Sequence, residues 1–138
     1  MLDMSMFREH ADVLRADHDK REMPHDNIDE VIRLDEEWRQ ARYDADQLRK
    51  KRNEAARGIA EAKKSGDSAA ADAILAEVAS LGQEIDALSE KVDSCLAERD
   101  AIRMRVPNIL HDSVPVGEDD QKNTLHSLHG DKTELGFE

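Results

Sequence analysis

The fold is decided by residues 31–106, which read VIRLDEEWRQARYDADQLRKKRNEAARGIAEAKK over 31–64, SGD over 65–67 and SAAADAILAEVASLGQEIDALSEKVDSCLAERDAIRMRV over 68–106. In both long parts, mostly apolar residues recur at alternating steps of three and four. This heptad spacing keeps one seam of a helix facing a partner helix. The first seam holds Val31, Leu34, Trp38, Ala41, Ala45, Leu48, Arg52, Ala55, Ile59 and Ala62. The second seam holds Ala71, Ile74, Val78, Leu81, Ile85, Leu88, Val92, Cys95, Arg99, Ile102 and Val106.

The two seams are in mirror register about the Ser-Gly-Asp segment. Positions 62 and 71, 59 and 74, and so on down to 31 and 102, each sum to 133. A constant sum is what two helices have when the chain folds back on itself. The sequence therefore predicts an all-α fold, a long antiparallel two-helix coiled-coil hairpin over about 28–106 with its turn at 65–67. The large Trp38 faces the small Cys95 in this register, and both are expected to be core residues.

The segments outside the hairpin are less regular. Residues 3–21 have apolar residues at helical spacing and predict a short helical segment packed at the base of the hairpin. Residues 108–138 lose periodicity and contain Pro115, Gly117, Gly130 and Gly136, which favours an extended linker. We therefore expect a helical arm domain over 1–107 followed by a linker over 108–138.

Size and composition exclude several classes of protein. The chain has 138 residues, enough for one domain, and only 3% of them are aromatic. It has one cysteine, so no internal disulfide forms, and a reducing, cytoplasmic location is expected. No apolar run approaches the ~20 residues that span a bilayer, and the N-terminus lacks the apolar core of a signal peptide, so no membrane partner is expected.

The charge of the chain is unevenly distributed. The formal net charge is −12, but residues 39–64 carry nine Lys/Arg and four Asp/Glu, which is +5 and leaves −17 for the rest. Exposed charges are screened beyond ~8–10 Å, so the local balance matters more than the total. A polyanionic partner is therefore not excluded.

The two edges of the seam differ in their predicted charge pairs. At one edge, the g positions of the heptad are expected to form three acid–base pairs across the seam. These pairs are Glu30–Arg105, Asp44–Lys91 and Lys51–Glu84. At the other edge, the e positions of the first helix carry cations, whose partners in this register are the small, uncharged Ser89, Gly82 and Ser68. The neighbouring f positions add three more cations. Together these six residues are Arg42, Arg49, Lys50, Arg57, Lys63 and Lys64.

A row of unpaired cations on a rigid rod suits the phosphates of a nucleic-acid backbone. Tyr43 is the sole aromatic on the arm that could stack an unpaired base, which favours recognition of duplex shape over single-strand sequence. The sequence shows no Gly-rich phosphate loop, no Ser/His/Asp set and no metal-ligand set, so no catalytic, cofactor or metal residue is predicted.

Several stretches resemble the N-terminal region of seryl-tRNA synthetases, and the resemblance covers residues 1 to about 130. They are MLD…FRE (1–9), VIRLDEEWR (31–39), LRKKRN (48–53), I…KKSGD (59–67) and VPNILHDSVPVG (106–117) with Asn123. The Arg-Asn pair at 52–53 and the Pro-Asn-Ile…Val-Pro-Val-Gly linker are the most specific of these. One departure is His129, where the family usually has tryptophan.

The resemblance implies a part of a class II enzyme that activates serine with ATP and transfers it to serine tRNA. The family's helical arm lies against the long variable arm and elbow of the tRNA, and in the homodimer each arm serves the tRNA held by the other subunit. The catalytic domain, with its ATP and magnesium sites, is expected after residue 138. The partners implied are serine tRNA and this catalytic domain. The arm alone is expected to be monomeric, without cofactor and inactive as a ligase.

A second reading of the same residues remains open. The charged faces would then only keep a coiled-coil protein-interaction module, or a chaperone arm without RNA binding, in solution. Binding to structured tRNA with a steep salt dependence separates the two readings.

Overall fold

The computed structural model describes residues 2–130, and its regular structure is helical, as predicted. Two short helices, α1 (Met4–Glu9) and α2 (Ala11–Lys20), precede two long ones, α3 (Asp26–Ser65) and α4 (Ser68–Arg103). A 3-10 turn at Asp120–Lys122 follows in the C-terminal segment. At 1.5 Å per residue, α3 with its 40 residues is about 60 Å long and α4 with its 36 about 54 Å.

The hairpin turn lies where the sequence predicts it. Gly66 ends α3 in the left-handed conformation at φ 77°, which a residue without Cβ adopts at little cost. The Asp67 amide donates to the Ala62 carbonyl at 3.1 Å. Its carboxylate in turn accepts from the Ala70 amide at 3.0 Å and caps α4. These bonds satisfy the two helix ends and reverse the chain between them.

The predicted seam is the interface between α3 and α4. All of its positions in both arms are buried or half-buried, while most positions on the outer faces are exposed. Near the tip, a Cβ at Gly58 would lie 3.4 Å from Ile74 Cδ1, so the helices approach closely beside the predicted 59–74 pair. Cys95 is buried, as expected of a core residue, whereas Trp38 is only half-buried. The antiparallel coiled-coil hairpin is thus confirmed.

The base of the hairpin holds a second core. Phe7 of α1 and Leu14 of α2 are buried against Ile28 and Val31 of α3 and against Val106. The helical segment predicted at the base is therefore present, but it is two helices rather than one. The chain breaks at His10, where φ −134° and ψ 35° leave the helical region.

The C-terminal segment after α4 lies along α2. The Leu110 amide donates to Asp17 Oδ1 at 2.7 Å, and the Gly117 amide donates to the Lys20 carbonyl at 2.9 Å. Asp17, which is 5% exposed, also accepts from Arg21 Nε at 2.9 Å. The segment is extended, as predicted, and is hydrogen-bonded to the base over residues 108–117.

Within residues 2–130, the helices all lack an apolar stretch of the length that a bilayer crossing requires. Gly136 and the rest of the predicted linker after residue 130 lie outside the described residues.

Candidate nucleic-acid interface

The six cations predicted to bind RNA lie on one side of α3. Heptad geometry places the e and f positions about 100° apart around the helix, with the b positions between them. Five of the six are exposed, and Arg49 is half-buried. From residue 42 to residue 64 the set extends about 33 Å along the helix axis. We call it the cationic row, and its members are Arg42, Arg49, Lys50, Arg57, Lys63 and Lys64.

Five members of the cationic row form no ion pair with any residue between 2 and 130. These five are Arg42, Lys50, Arg57, Lys63 and Lys64. Two members of the row are nevertheless held in place. Arg49 donates to Asp46 at 2.7 Å on its own helix and to the Ser89 hydroxyl at 3.2 Å across the seam. The guanidinium of Arg42 lies 5.4 Å from the centroid of the Trp38 ring.

These contacts correct the sequence prediction in one respect and agree with it in another. Arg49 was expected to be unpaired, but Asp46, three residues before it, is within reach on the same helix. Its contact across the seam is with Ser89, the residue predicted to face Arg42, and not with Gly82, its own predicted partner. Both residues are uncharged, as expected of this edge. Arg42 and Arg49 of α3 form one wall of a groove of about 240 Å³, and Ser89 and Asp93 of α4 form the other wall.

The ion pairs predicted for the opposite edge are wrong. Within the described part of the chain, Glu30 and Arg105, Asp44 and Lys91, and Lys51 and Glu84 do not approach within 4 Å of each other. Glu30 pairs instead with Arg33 at 2.6 Å, one turn along α3. Partners three or four residues away on the same helix are closer than partners across the seam.

The two edges nevertheless differ in charge. Between residues 42 and 64, the length of the cationic row, the g positions of α3 are Asp44, Lys51 and Gly58, which sum to 0. The cationic row carries +6. The electrostatic contrast predicted from the sequence therefore remains, although it comes from the residue types on α3 and not from pairing across the seam.

A cluster of three arginines surrounds one buried carboxylate at the base of α3. Asp35 is 1% exposed and accepts from Arg8 Nε at 2.7 Å, Arg8 Nη2 at 2.8 Å, Arg39 Nε at 3.1 Å and Arg99 Nη1 at 2.8 Å. Burial alone would raise the pKa of Asp35, but the hydrogen bonds and charges of Arg8 and Arg99 hold it below its ordinary value. The carboxylate is therefore ionised at neutral pH, and it joins α1, α3 and α4. We call these four residues the Asp35 cluster.

The sequence patterns did not identify the Asp35 cluster. Arg99 is a polar residue in the mostly apolar seam. It is 6% exposed, and its guanidinium also lies 5.2 Å from the Trp38 ring centroid. The available signal was this polar seam position together with the Asp35–Arg39 spacing of four residues.

Among residues 2–130, no group of His, Cys, Asp and Glu side chains is arranged to hold a metal ion.

Comparison with known proteins agrees with this fold. The family model for the seryl-tRNA synthetase N-terminal domain matches residues 1–110. A serine–tRNA ligase from Methanoregula boonei is 40% identical over 143 residues, which cover 100% of this chain and 32% of the relative. One from Haloquadratum walsbyi is 31% identical over 130 residues, 94% of this chain and 28% of the relative.

A solved structure shares the architecture. The crystal structure of seryl-tRNA synthetase from Pyrococcus horikoshii complexed with ATP matches with a TM-score of 0.80 and 34% identity, over 89% of this chain and 28% of that chain. This chain spans about a third of the length of the curated relatives that it matches. With a family model matching most of its residues, the chain belongs to the seryl-tRNA synthetase family and corresponds to its N-terminal domain.

Proposed function

We propose that this domain is a tRNA-binding arm that docks on serine tRNA. The cationic row would contact phosphates and sugars of the long variable arm and the elbow. The domain would thereby position the tRNA for aminoacylation by the class II catalytic domain of the same enzyme. That domain would bind ATP, magnesium and serine, and the full-length enzyme would act as a homodimer.

The observation that carries the proposal is the cationic row itself. Six cations lie along about 33 Å of one rigid helix, and five of them form no ion pair within residues 2–130. Each cation that neutralises an RNA phosphate releases a condensed counterion, which favours binding most at low salt. A helix paired along its length in a coiled coil keeps these charges in a fixed line, so little conformational entropy is lost when an RNA backbone meets them.

The surface around the row favours recognition of shape. Tyr43, 60% exposed, occupies the f position seven residues before Lys50 and is the only exposed aromatic side chain on α3. Recognition of single strands generally needs several stacking side chains, whereas duplex RNA is bound through its phosphates and 2′-hydroxyls. A base-paired variable arm fits this surface better than an unpaired loop does.

The experiment compares two double variants with identical chemistry. Lys50→Gln/Lys64→Gln removes two exposed lysines from the cationic row, and Lys51→Gln/Lys91→Gln removes two exposed lysines from the opposite edge. Both changes take the formal net charge from −12 to −14. Binding of labelled serine tRNA is measured by fluorescence anisotropy between 50 and 300 mM KCl, and helicity by circular dichroism.

We expect the row variant to bind more weakly and to flatten the slope of log K against log salt by roughly 1.5 units, since each phosphate contributes about 0.7–0.9. The opposite-edge variant should bind like the wild type. If the opposite-edge variant loses as much tRNA affinity as the row variant, or more, the RNA binds the other side of α3 and the placement proposed here is wrong. If the wild-type domain does not bind tRNA at 50 mM KCl, the proposal is wrong and an RNA-independent coiled-coil module is favoured.

A further inference from the structure

Arg42, at the base end of the cationic row, and Arg39, just beyond that end, are both oriented before any ligand arrives. Arg39 donates through Nε to buried Asp35, four residues earlier, and Arg42 lies over the ring of Trp38, also four residues earlier. Side chains on a helix point back toward its N-terminus, so both guanidinium groups lie one turn before their own Cα atoms. Because Asp35 and Trp38 are themselves i,i+3 neighbours, the two guanidinium groups are anchored to neighbouring positions on the helix surface.

Both contacts leave the donors that bind phosphate free. Arg39 uses only Nε, and its Nη1 and Nη2 have no partner within residues 2–130. Its side chain is 52% exposed. The cation–π contact of Arg42 with the Trp38 ring uses no N–H donor in a hydrogen bond, and Arg42 makes no hydrogen bond within the same residues. Planar, pre-oriented guanidinium groups of this kind bind phosphate oxygens through paired N–H donors, which an ammonium group does not do.

The position of Arg39 continues the cationic row. Residue 39 is a b position, which lies between the e and f positions around the helix. It is three residues, or about 4.5 Å, closer to the base than Arg42. Glu36 is exposed at an f position three residues before Arg39, and its negative charge repels a phosphate there. The phosphate site therefore lies between Arg39 and Arg42.

We infer that Arg39 and Arg42 form a phosphate clamp at the base end of the row, which binds one phosphodiester of the same RNA that the lysines contact. Asp35 and Trp38 are positioning residues for this clamp. The inference rests on the proposed function and adds Arg39 to the surface. It also assigns different modes of binding to the two residue types. The arginines bind through the geometry of the guanidinium group, whereas the lysines act as point charges.

Charge-conserving variants test this difference. Arg39→Lys and Arg42→Lys should each weaken binding of serine tRNA about tenfold, because the hydrogen bonds lost are to a charged group. The salt slope should stay close to that of the wild type, because the number of cations is unchanged. Arg39→Gln should lower both the affinity and the slope, the latter by about one unit.

The matched control is Arg33→Lys. Arg33 is 51% exposed and donates through Nε to a carboxylate, Glu30, but it lies at a c position away from the row. Its replacement should not change tRNA affinity. Thermal unfolding of each variant is followed by circular dichroism, and affinities are compared at a temperature where every variant is folded.

The outcomes separate the inference from the proposed function. If Arg39→Lys and Arg42→Lys bind like Arg33→Lys while Lys50→Gln/Lys64→Gln still weakens binding, the clamp is wrong and the proposed function stands. If the lysine variants of the row also bind like the wild type, the proposed function fails as well. A lower salt slope in Arg39→Lys would contradict the clamp, because it would mean that charge was lost rather than geometry.

Discussion

The Asp35 cluster gives a quantitative prediction about stability. Asp35→Asn keeps the size of the side chain and removes its charge, leaving three arginines around a neutral amide. Arg99 is affected most, because its side chain is 7% exposed and cannot be rehydrated without opening the interface between α3 and α4. Arg8 and Arg39 are 40% and 52% exposed, so water replaces much of what they lose.

The size of the effect follows from this difference in burial. Removing one partner of a buried ion pair costs about 3–5 kcal/mol. Arg99 keeps Asp100, which accepts from its Nη2 at 2.9 Å, and this places the cost near the lower end. We expect Asp35→Asn to lower the free energy of unfolding by about 3 kcal/mol, a large share of the ~5–15 kcal/mol of a typical domain.

The same carboxylate makes stability depend on pH. The pKa of Asp35 is lower in the folded state than in the unfolded chain, so the unfolded state binds more protons between the two values. The contribution of Asp35 is fully present above the unfolded pKa of about 3.9 and is lost as the pH falls through the folded value. The difference between wild type and Asp35→Asn should therefore be largest near pH 7 and should shrink toward pH 3.

Urea denaturation followed by circular dichroism at 222 nm measures both effects. Asp29→Asn is the control, because Asp29 is 58% exposed and pairs at the surface with Arg15, a contact that contributes at most about 1 kcal/mol. A loss below about 1 kcal/mol in Asp35→Asn, or a difference that does not change between pH 7 and pH 3, would refute the reasoning.

Two further predictions concern the turn and the linker. Gly66→Ala places a Cβ in open space but at φ 77°, so it should destabilise the hairpin by about 1 kcal/mol, whereas Gly82→Ala, in the interior of α4 with nothing within 4 Å, should stabilise it by up to about 1 kcal/mol in the same urea assay. If the two substitutions change the free energy of unfolding equally, the left-handed conformation at Gly66 does not determine the effect. Asp17→Ala removes the acceptor of the Leu110 amide and should raise its hydrogen-exchange rate at least tenfold; unchanged exchange would mean that the linker does not depend on this bond.

The hairpin could be predicted from the sequence because its two signals, a periodic seam and a short turn, are visible in the order of the residues. A seam that holds its spacing over ten positions fixes which face of each helix is buried, and a Gly that adopts a left-handed conformation fixes where the chain reverses. The same periodicity placed the cationic row on one side of α3. Its role in RNA binding stays a prediction, since position on a helix face does not identify a ligand.

The pairing of side chains could not be predicted in the same way. Asp35 accepts hydrogen bonds from Arg8 and Arg99, which are 27 and 64 residues away, and only its partner Arg39 lies at a spacing that a helical pattern reveals. The predicted pair of Glu30 with Arg105 failed for the opposite reason. Mirror register indicates which backbone positions face each other, but a long side chain takes the nearest partner, which for Glu30 is Arg33 on its own helix.

If the domain binds RNA as proposed, its acidic net charge orients it on the RNA without preventing binding. Helix α4 carries eight acids and three bases, a sum of −5, and lies beside a cationic row of +6. Packed helices lie 8–10 Å apart, about one Debye length at physiological salt, so an RNA on the cationic side is largely screened from the acids behind it. RNA that approaches α4 is repelled instead. The sign of the salt dependence shows whether attraction to the cationic row or repulsion by the net charge dominates. Added salt weakens binding if the row dominates, and strengthens binding if the net charge of −12 dominates.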